Sequence, residues 1–209
     1  MKLAVFGATG NTGREVVKQA LAKGHEVSVL VRNADALGEL RERVRVVVGD
    51  TTADPARVEG TIQGQEVVVS ALGAGKSFRS GDLIEKSMRA IIPAMQRAGV
   101  RRIFVVSACG VGETRRQAPL VPRLMFRLLL GDIFTDKAVG EAMLRASGLD
   151  WTILYPTLLT DAPVGGRYRV GERVALSGMP KIGRADVAHF IVAHLEGDAY
   201  VRRGVLMSY

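Results

Sequence analysis

Residues 2–13 read KLAVFGATGNTG, which sets Gly7, Gly10 and Gly13 directly after an apolar run of strand length and at the mouth of an amphipathic stretch. Glycines so placed permit a tight turn, close approach of the backbone to a pyrophosphate, and close packing of helix on strand. The helix that follows supplies free N–H groups and the positive end of its dipole. A glycine triplet alone is weak grounds for a nucleotide site. Here the strand before it, the helix after it and a second strand at 25–31 all occur at the required spacing. A dinucleotide-binding turn is therefore expected, the alternative being a purely structural glycine turn.

Outward from this turn, strand-like and helix-like segments alternate. KLAVF (2–6), HEVSVLV (25–31), VRVVVG (44–49), EVVVSAL (66–72), RIFVVSA (102–108) and WTILYP (151–156) are rich in β-branched residues, as strands covered on both faces are. Helices are expected at Thr12 to Lys23, 82–98 and about 136–147, each closed by a glycine: Gly24, Gly99 and Gly148. Pro93 is expected to bend the second of them. The pattern predicts an α/β fold, a doubly wound Rossmann-type parallel sheet with helices on both faces and a small C-terminal substrate-side portion. No linker or repeat marks a boundary, so residues 1–209 read as one NAD(P)-binding domain. Two stretches break the alternation, 109–131 and 157–182. Both follow strand carboxyl ends and read as substrate-side insertions, although GGRYRVGERVAL in the second, a hairpin by its pattern, serves equally as a packed surface excursion.

Composition narrows the classes further. The chain is 47% hydrophobic and 24% charged, with one cysteine, Cys109, so no internal disulfide and no cysteine-based zinc cage is possible. No apolar run approaches a membrane span and the first residues do not resemble a signal peptide, so a cytoplasmic protein without membrane partners is expected. The net charge of +8 is spread: residues 1–104 carry 16 basic and 11 acidic side chains, the remainder 13 and 10. Without a basic block, nucleic-acid binding is not expected. His189 and His194 are five apart and lack a carboxylate cluster, and His25 begins the second strand, so no metal site is expected.

The G-x-x-G-x-x-G spacing, within GATGNTGREVVKQALAKGHEVSVLVRN, resembles the atypical short-chain dehydrogenase/reductase superfamily. The chain is most similar to its biliverdin reductase B (flavin reductase) and NmrA-like branches. The resemblance continues through VVVGD (46–50), VVSALG (68–73), FVVSACG (104–110) and LRASGLDWTILYP (144–156).

About twenty residues past the glycines an NAD site holds an acid for the ribose 2′-hydroxyl, and this chain has Arg32. A guanidinium pairs bidentately with a 2′-phosphate, which predicts NADP(H) with NAD(H) as the weaker alternative, Asn33 assisting. The alternative for Arg32 is a solvated side chain paired with nearby Asp35 or Glu39. The resemblance implies that Asp50 and Thr51 lie at the adenine, although Asp and Thr also serve as caps, and that Leu72 and Gly73 lie against the ribose. It further implies that Ser107 is the active-site serine and Lys137 the lysine that holds the nicotinamide ribose. The expected cofactor set is thus Gly7, Thr9, Gly10, Asn11, Thr12, Gly13, Arg32, Asn33, Asp50, Thr51, Leu72, Gly73, Ser107, Lys137 and Pro156, with Ser107 and Lys137 also catalytic.

One departure bears on the reaction. The superfamily's usual Tyr-x-x-x-Lys acid is missing, because Ile133 stands four residues before Lys137 and no tyrosine has a lysine four residues on. This favours hydride transfer from NADPH to a planar conjugated acceptor of flavin, quinone or tetrapyrrole type, with the proton drawn from water near Ser107 and Lys137. A non-catalytic NADP(H)-binding sensor of the NmrA-like kind is the other reading. Either a monomer or a homodimer is compatible with the sequence. Cys109 is expected to be a small buried hydrophobe rather than a redox thiol.

Overall fold

The computed structural model describes the chain apart from residues 76, 78, 118 and 119 and the side chains of 116 and 120–130. The six apolar runs become β1 (Lys2–Phe6), β2 (Glu26–Val31), β3 (Arg45–Val48), β4 (Val67–Ser70), β5 (Arg102–Val106) and β6 (Asp150–Pro156). Between them lie α1 (Asn11–Ala22), α2 (Pro55–Ile62), α3 (Leu83–Ala98) and α4 (Leu120–Ala146), with short 3₁₀ turns at Ala34–Arg43 and Gly112–Arg116. After β6 come β7 (Leu158–Thr160), β8 (Arg169–Gly171), β9 (Lys181–Gly183), α5 (Arg184–Ala193) and β10 (Arg203–Ser208).

Eight strands form one sheet in the order β3-β2-β1-β4-β5-β6-β10-β8, parallel except for the antiparallel β10–β8 pair; β7 and β9 pair separately. Chain order reverses between β1 and β4, and an open α/β sheet presents its crevice at the carboxyl ends beside such a switch point. The register aligns those ends, pairing Phe6 with Ser70 and Ser70 with Val105.

Alternation along β1 assigns the two cores. Leu3 and Val5 join Val16, Val17 and Ala20 of α1 and Val187, Phe190 and Ile191 of α5 on one face. Ala4 and Phe6 join Val58 of α2, Ile84, Met88 and Ile91 of α3, and Leu144 of α4 on the other. Residues of the central strands are buried almost completely because helices cover both faces. The expected helix stops Gly24, Gly99 and Gly148 hold φ of 78°, 70° and 74°, the left-handed conformation that ends a helix at no steric cost to glycine. The α3 helix continues through Pro93.

Two expectations are corrected. The helix expected from about 136 begins instead at Leu120, so most of the first supposed insertion is the leading half of α4. Its Pro122 falls in the first turn, where the missing N–H has no intrahelical partner to lose, and so does not interrupt it. The segment GGRYRVGERVAL does not close on itself as a hairpin: its one strand, β8, pairs with β10 at the sheet edge, Val170 opposite Met207. A strand whose neighbour is remote in sequence leaves no hairpin register to read.

Candidate functional site

The glycine turn connects β1 to α1, and its three glycines do different work. Gly7 has φ of 83°, and a Cβ there would sit 2.6 Å from the Ala71 carbonyl oxygen, so its bareness lets the turn lie against the end of β4. A Cβ on Gly13 would run into the Gly7 backbone, so α1 starts where it does only with glycine. Gly10 is different: its Cβ would meet only the Gly7 oxygen, at 3.3 Å, and it lies exposed with Thr9 and Asn11. Thr12 is half-buried beside them. No side chain caps α1 and its first turn has no acid, which leaves its leading N–H groups open to an anion. These features fit a pyrophosphate.

At the end of β2, Arg32 is exposed and makes no hydrogen bond or ion pair among the described residues. The acids that would have neutralised it are engaged elsewhere, Asp35 with Arg41 at 2.6 Å and Glu39 with Lys18 at 4.0 Å. The Asn33 oxygen accepts from the Asp35 N–H at 2.9 Å, capping the 3₁₀ turn, so only its amide nitrogen stays available. Asp50, after β3, accepts from both the hydroxyl and the N–H of Thr52 at 2.7 and 2.8 Å. These bonds, with help from the Arg32 charge, hold its carboxyl below the ordinary range. The turn-capping alternative for Asp50 is therefore seen directly, and Thr51 beside it is buried. Leu72, packed against the core, and exposed Gly73 follow β4.

The far end of the crevice is a side-chain cluster. Ser107 extends β5, its N–H donating to the Leu154 carbonyl at 2.8 Å, and Lys137 Nζ donates to the Val106 carbonyl at 3.3 Å. Between them enters Glu141, one turn beyond Lys137 on α4. Ser107 Oγ lies 2.5 Å from Glu141 Oε1, and the Tyr155 hydroxyl donates to Glu141 Oε2 at 2.6 Å. Arg145 donates to the Tyr155 oxygen at 3.1 Å and pairs with Glu113 at 3.2 Å. The approach of α4 depends on Gly140, where a Cβ would stand 2.6 Å from Ile84 Cγ2. Ile84, Met88, Val105 and Leu144 line the same space and keep it apolar.

Charges respond to that setting. Desolvation pushes the Glu141 carboxyl above its ordinary value, against the bonds from Ser107 and Tyr155 and the charges of Arg145 and Lys137. It pulls Lys137 below its ordinary value, with Glu141 and Asp136 opposing. Burial and the neighbouring Glu141 carry the Tyr155 hydroxyl far above the usual phenol range, the reverse of an activated tyrosine acid. Ile133 stands one turn before Lys137, half-buried. Pro156 is buried beside Ser107, its carbonyl accepting from the Cys109 N–H at 2.9 Å. Burial lifts the Cys109 thiol to about 11, so it is not a ready thiolate.

The sequence-derived residues thus fall at the carboxyl ends of β1 to β6, in two groups at opposite ends of the crevice. Reasoning from sequence missed Glu141, Tyr155 and Arg145. The spacing of Lys137, Glu141 and Arg145 at successive i, i+4 steps was the available signal, since it puts all three on one helix face.

With this geometry in place, the comparisons decide the family. An NAD(P)H-binding family profile matches residues 7–198. The chain belongs to that family. The photosystem II assembly factor Ycf39 of Synechocystis is 27% identical across 97% of this chain, which spans 61% of that relative's length. ChuY, an anaerobillin reductase from Escherichia coli O157:H7, superposes with a TM-score of 0.83 at 24% identity, covering 99% of this chain and 96% of that one. A short-chain dehydrogenase/reductase from Veillonella parvula, solved in complex with NADP, gives a TM-score of 0.82 at 22% identity, with 100% and 94% covered. At these identities the two structures speak for the fold alone. Among the described residues no helix is long and apolar enough to cross a membrane.

Proposed function

We propose that this protein is an NADPH-dependent reductase that passes a hydride to a conjugated acceptor of flavin, quinone or tetrapyrrole type. The observation that carries the reading is the state of the tyrosine. Ile133 stands one turn before Lys137, and the tyrosine that does reach the site, Tyr155, is buried and bound on one side by Glu141 and on the other by Arg145. An isolated carbonyl in the superfamily's usual reaction is protonated by a tyrosine acid, and no tyrosine is free for that role here. A conjugated acceptor spreads the added charge and makes a smaller demand on the protein.

Bound NADPH supplies the hydride, and the chain supplies binding and orientation. The open backbone at Gly10 to Gly13 would receive the pyrophosphate, and Arg32, with Asn33 beside it, the 2′-phosphate. Asp50 and Thr51 would flank the adenine. Leu72, Gly73 and Pro156 would line the path to the nicotinamide, whose ribose Lys137 would hold and beside which Ser107 would meet the acceptor. The name of ChuY, a reductase, supports this class of reaction. The name of Ycf39, an assembly factor, supports a second reading, a non-catalytic NADP(H)-binding protein that acts through a partner.

Steady NADPH oxidation with a panel of flavins, quinones and linear tetrapyrroles separates the two. Turnover with at least one acceptor is expected. Tight NADPH binding without turnover across the panel would establish the second reading instead.

A further inference from the structure

The strongest feature that the proposed reaction leaves unused is Glu141, a carboxyl 4% exposed that reaches the proposed acceptor side through Ser107. Burying a carboxyl costs stability unless it is hydrogen-bonded or paired, and among the described residues this one has its two hydrogen bonds but no salt bridge of its own: Arg145 reaches it by way of Tyr155 and pairs with Glu113. The contact to Ser107, at 2.5 Å, is short enough for a proton to be shared between the two oxygens. Tyr155 meanwhile binds the other carboxyl oxygen and fixes the group's orientation.

We propose that Glu141 is the proton reservoir of the reductase, recharging Ser107 as the serine hydroxyl protonates the acceptor. The inference rests on the reductase reading above. In the step, the acceptor gains a hydride from the reduced nicotinamide and a proton from Ser107 Oγ, and is reduced by two electrons. The Oε1–H bond of Glu141 breaks as a new O–H bond forms on Ser107, so the serine ends unchanged and Glu141 ends as a carboxylate. That carboxylate is held by the Tyr155 hydroxyl, with Arg145 and Lys137 close by. After product leaves, water returns the proton through Ser107. Glu141 is a positioning and relay residue in this scheme; Ser107 is the group that touches the acceptor.

The surroundings suit a group that must exist in both forms. From α4, Lys137 and Arg145 favour the carboxylate, while Asp136 acts on Lys137 and accepts from the N–H groups of Ile84 and Glu85; β6 contributes Tyr155 and β5 contributes Ser107, and α3 lines the space with the apolar Ile84 and Met88. Burial raises the carboxyl above its ordinary value, which keeps it protonated further toward neutrality than a surface glutamate.

The test is Glu141→Gln, whose amide keeps both hydrogen bonds but cannot release a proton. With the best acceptor, kcat is expected to fall by about 10²-fold or more, the usual contribution of a placed acid, while acceptor KM and NADPH affinity move little. The wild-type kcat should decline as pH rises through the Glu141 ionisation, and this limb should vanish in the variant. Independently of turnover, NMR of carbon-labelled glutamate should show one side-chain signal, absent from the variant, that titrates above the others and shifts in Ser107→Ala. A variant with wild-type kcat and an unchanged pH limb, or a Glu141 signal that titrates with the surface glutamates, overturns the relay while leaving the reductase reading standing. A wild-type protein inactive with every acceptor fails the reductase reading first, and the relay with it.

Discussion

The two ends of the crevice are built from different materials. The turn at 7–13 is almost entirely backbone: three glycines spaced by threes, an uncapped helix and no acidic side chain in the first turn. The cluster at the other end is almost entirely side chain. It joins Ser107 to Glu141 across 34 residues and Glu141 to Tyr155 across 14, from one helix and two strands. A backbone site depends on local conformation, which a short stretch of sequence specifies by itself. A side-chain site depends on which helix turn faces which strand end, and that is a property of packing.

The largest effect expected is within the turn, and it tests whether its glycines are as unlike as their surroundings suggest. Gly13→Val would drive a side chain into the Gly7 backbone and should destabilise the fold by about 3 kcal/mol, the upper end of overpacking costs. Gly10→Val meets only one neighbouring atom, so it should stay folded yet lose about a hundredfold or more in NADPH affinity by filling the space the pyrophosphate would take. Urea unfolding and NADPH titration of both variants check this. Equal stability losses would erase the distinction between the structural and the open glycine, and an unchanged affinity of Gly10→Val would remove its assigned role.

What was legible follows the same division. The six central strands could be read because β-branched runs such as VRVVVG announce themselves, and the helix ends because Gly24, Gly99 and Gly148 stand where the chain must turn back. The start of α4 could not, because a proline in the first turn of a helix looks the same in sequence as one in a loop. The β8–β10 pair could not, because its strands lie more than thirty residues apart. Ser107 and Lys137 were singled out through resemblance and lie together in the cluster, whereas Glu141 belongs to no motif. Its role in the cluster exists only because Gly140 lets α4 settle against Ile84.

A middle-sized effect sharpens the comparison at the β2 end of the crevice, where one side chain is proposed to decide what the backbone turn cannot. Arg32→Glu should lower the preference for NADPH over NADH by roughly tenfold to a hundredfold, the worth of a charge-assisted pair of about 1.5–3 kcal/mol. Asp35 and Glu39 are already paired, and Asp50, which feels the Arg32 charge, forms no ion pair with it. Dissociation constants for both cofactors, in wild type and variant, measure it. Wild-type constants that are equal for the two cofactors would show that Arg32 does not select.

The smallest effect concerns the stability cost of the side-chain end, and its sign follows from the direction of the Glu141 shift. Burial raises the folded carboxyl above the ordinary value of 4.5 that the unfolded chain retains. Below that value the group is protonated in both states and its titration favours neither. Above it the unfolded chain releases the proton while the fold resists doing so, so the folded state binds more protons and stability declines as pH rises, levelling off beyond the folded pKa. Each unit separating the two pKa values is worth about 1.4 kcal/mol. Glu141→Gln cannot ionise and should lack this decline. Urea unfolding of wild type and variant from about pH 4 to pH 8 should therefore show the variant gaining on the wild type as pH rises. A difference that stays flat across that range would mean the carboxyl titrates alike in both states, and that the bonds from Ser107 and Tyr155 and the charges of Lys137 and Arg145 offset its burial in full.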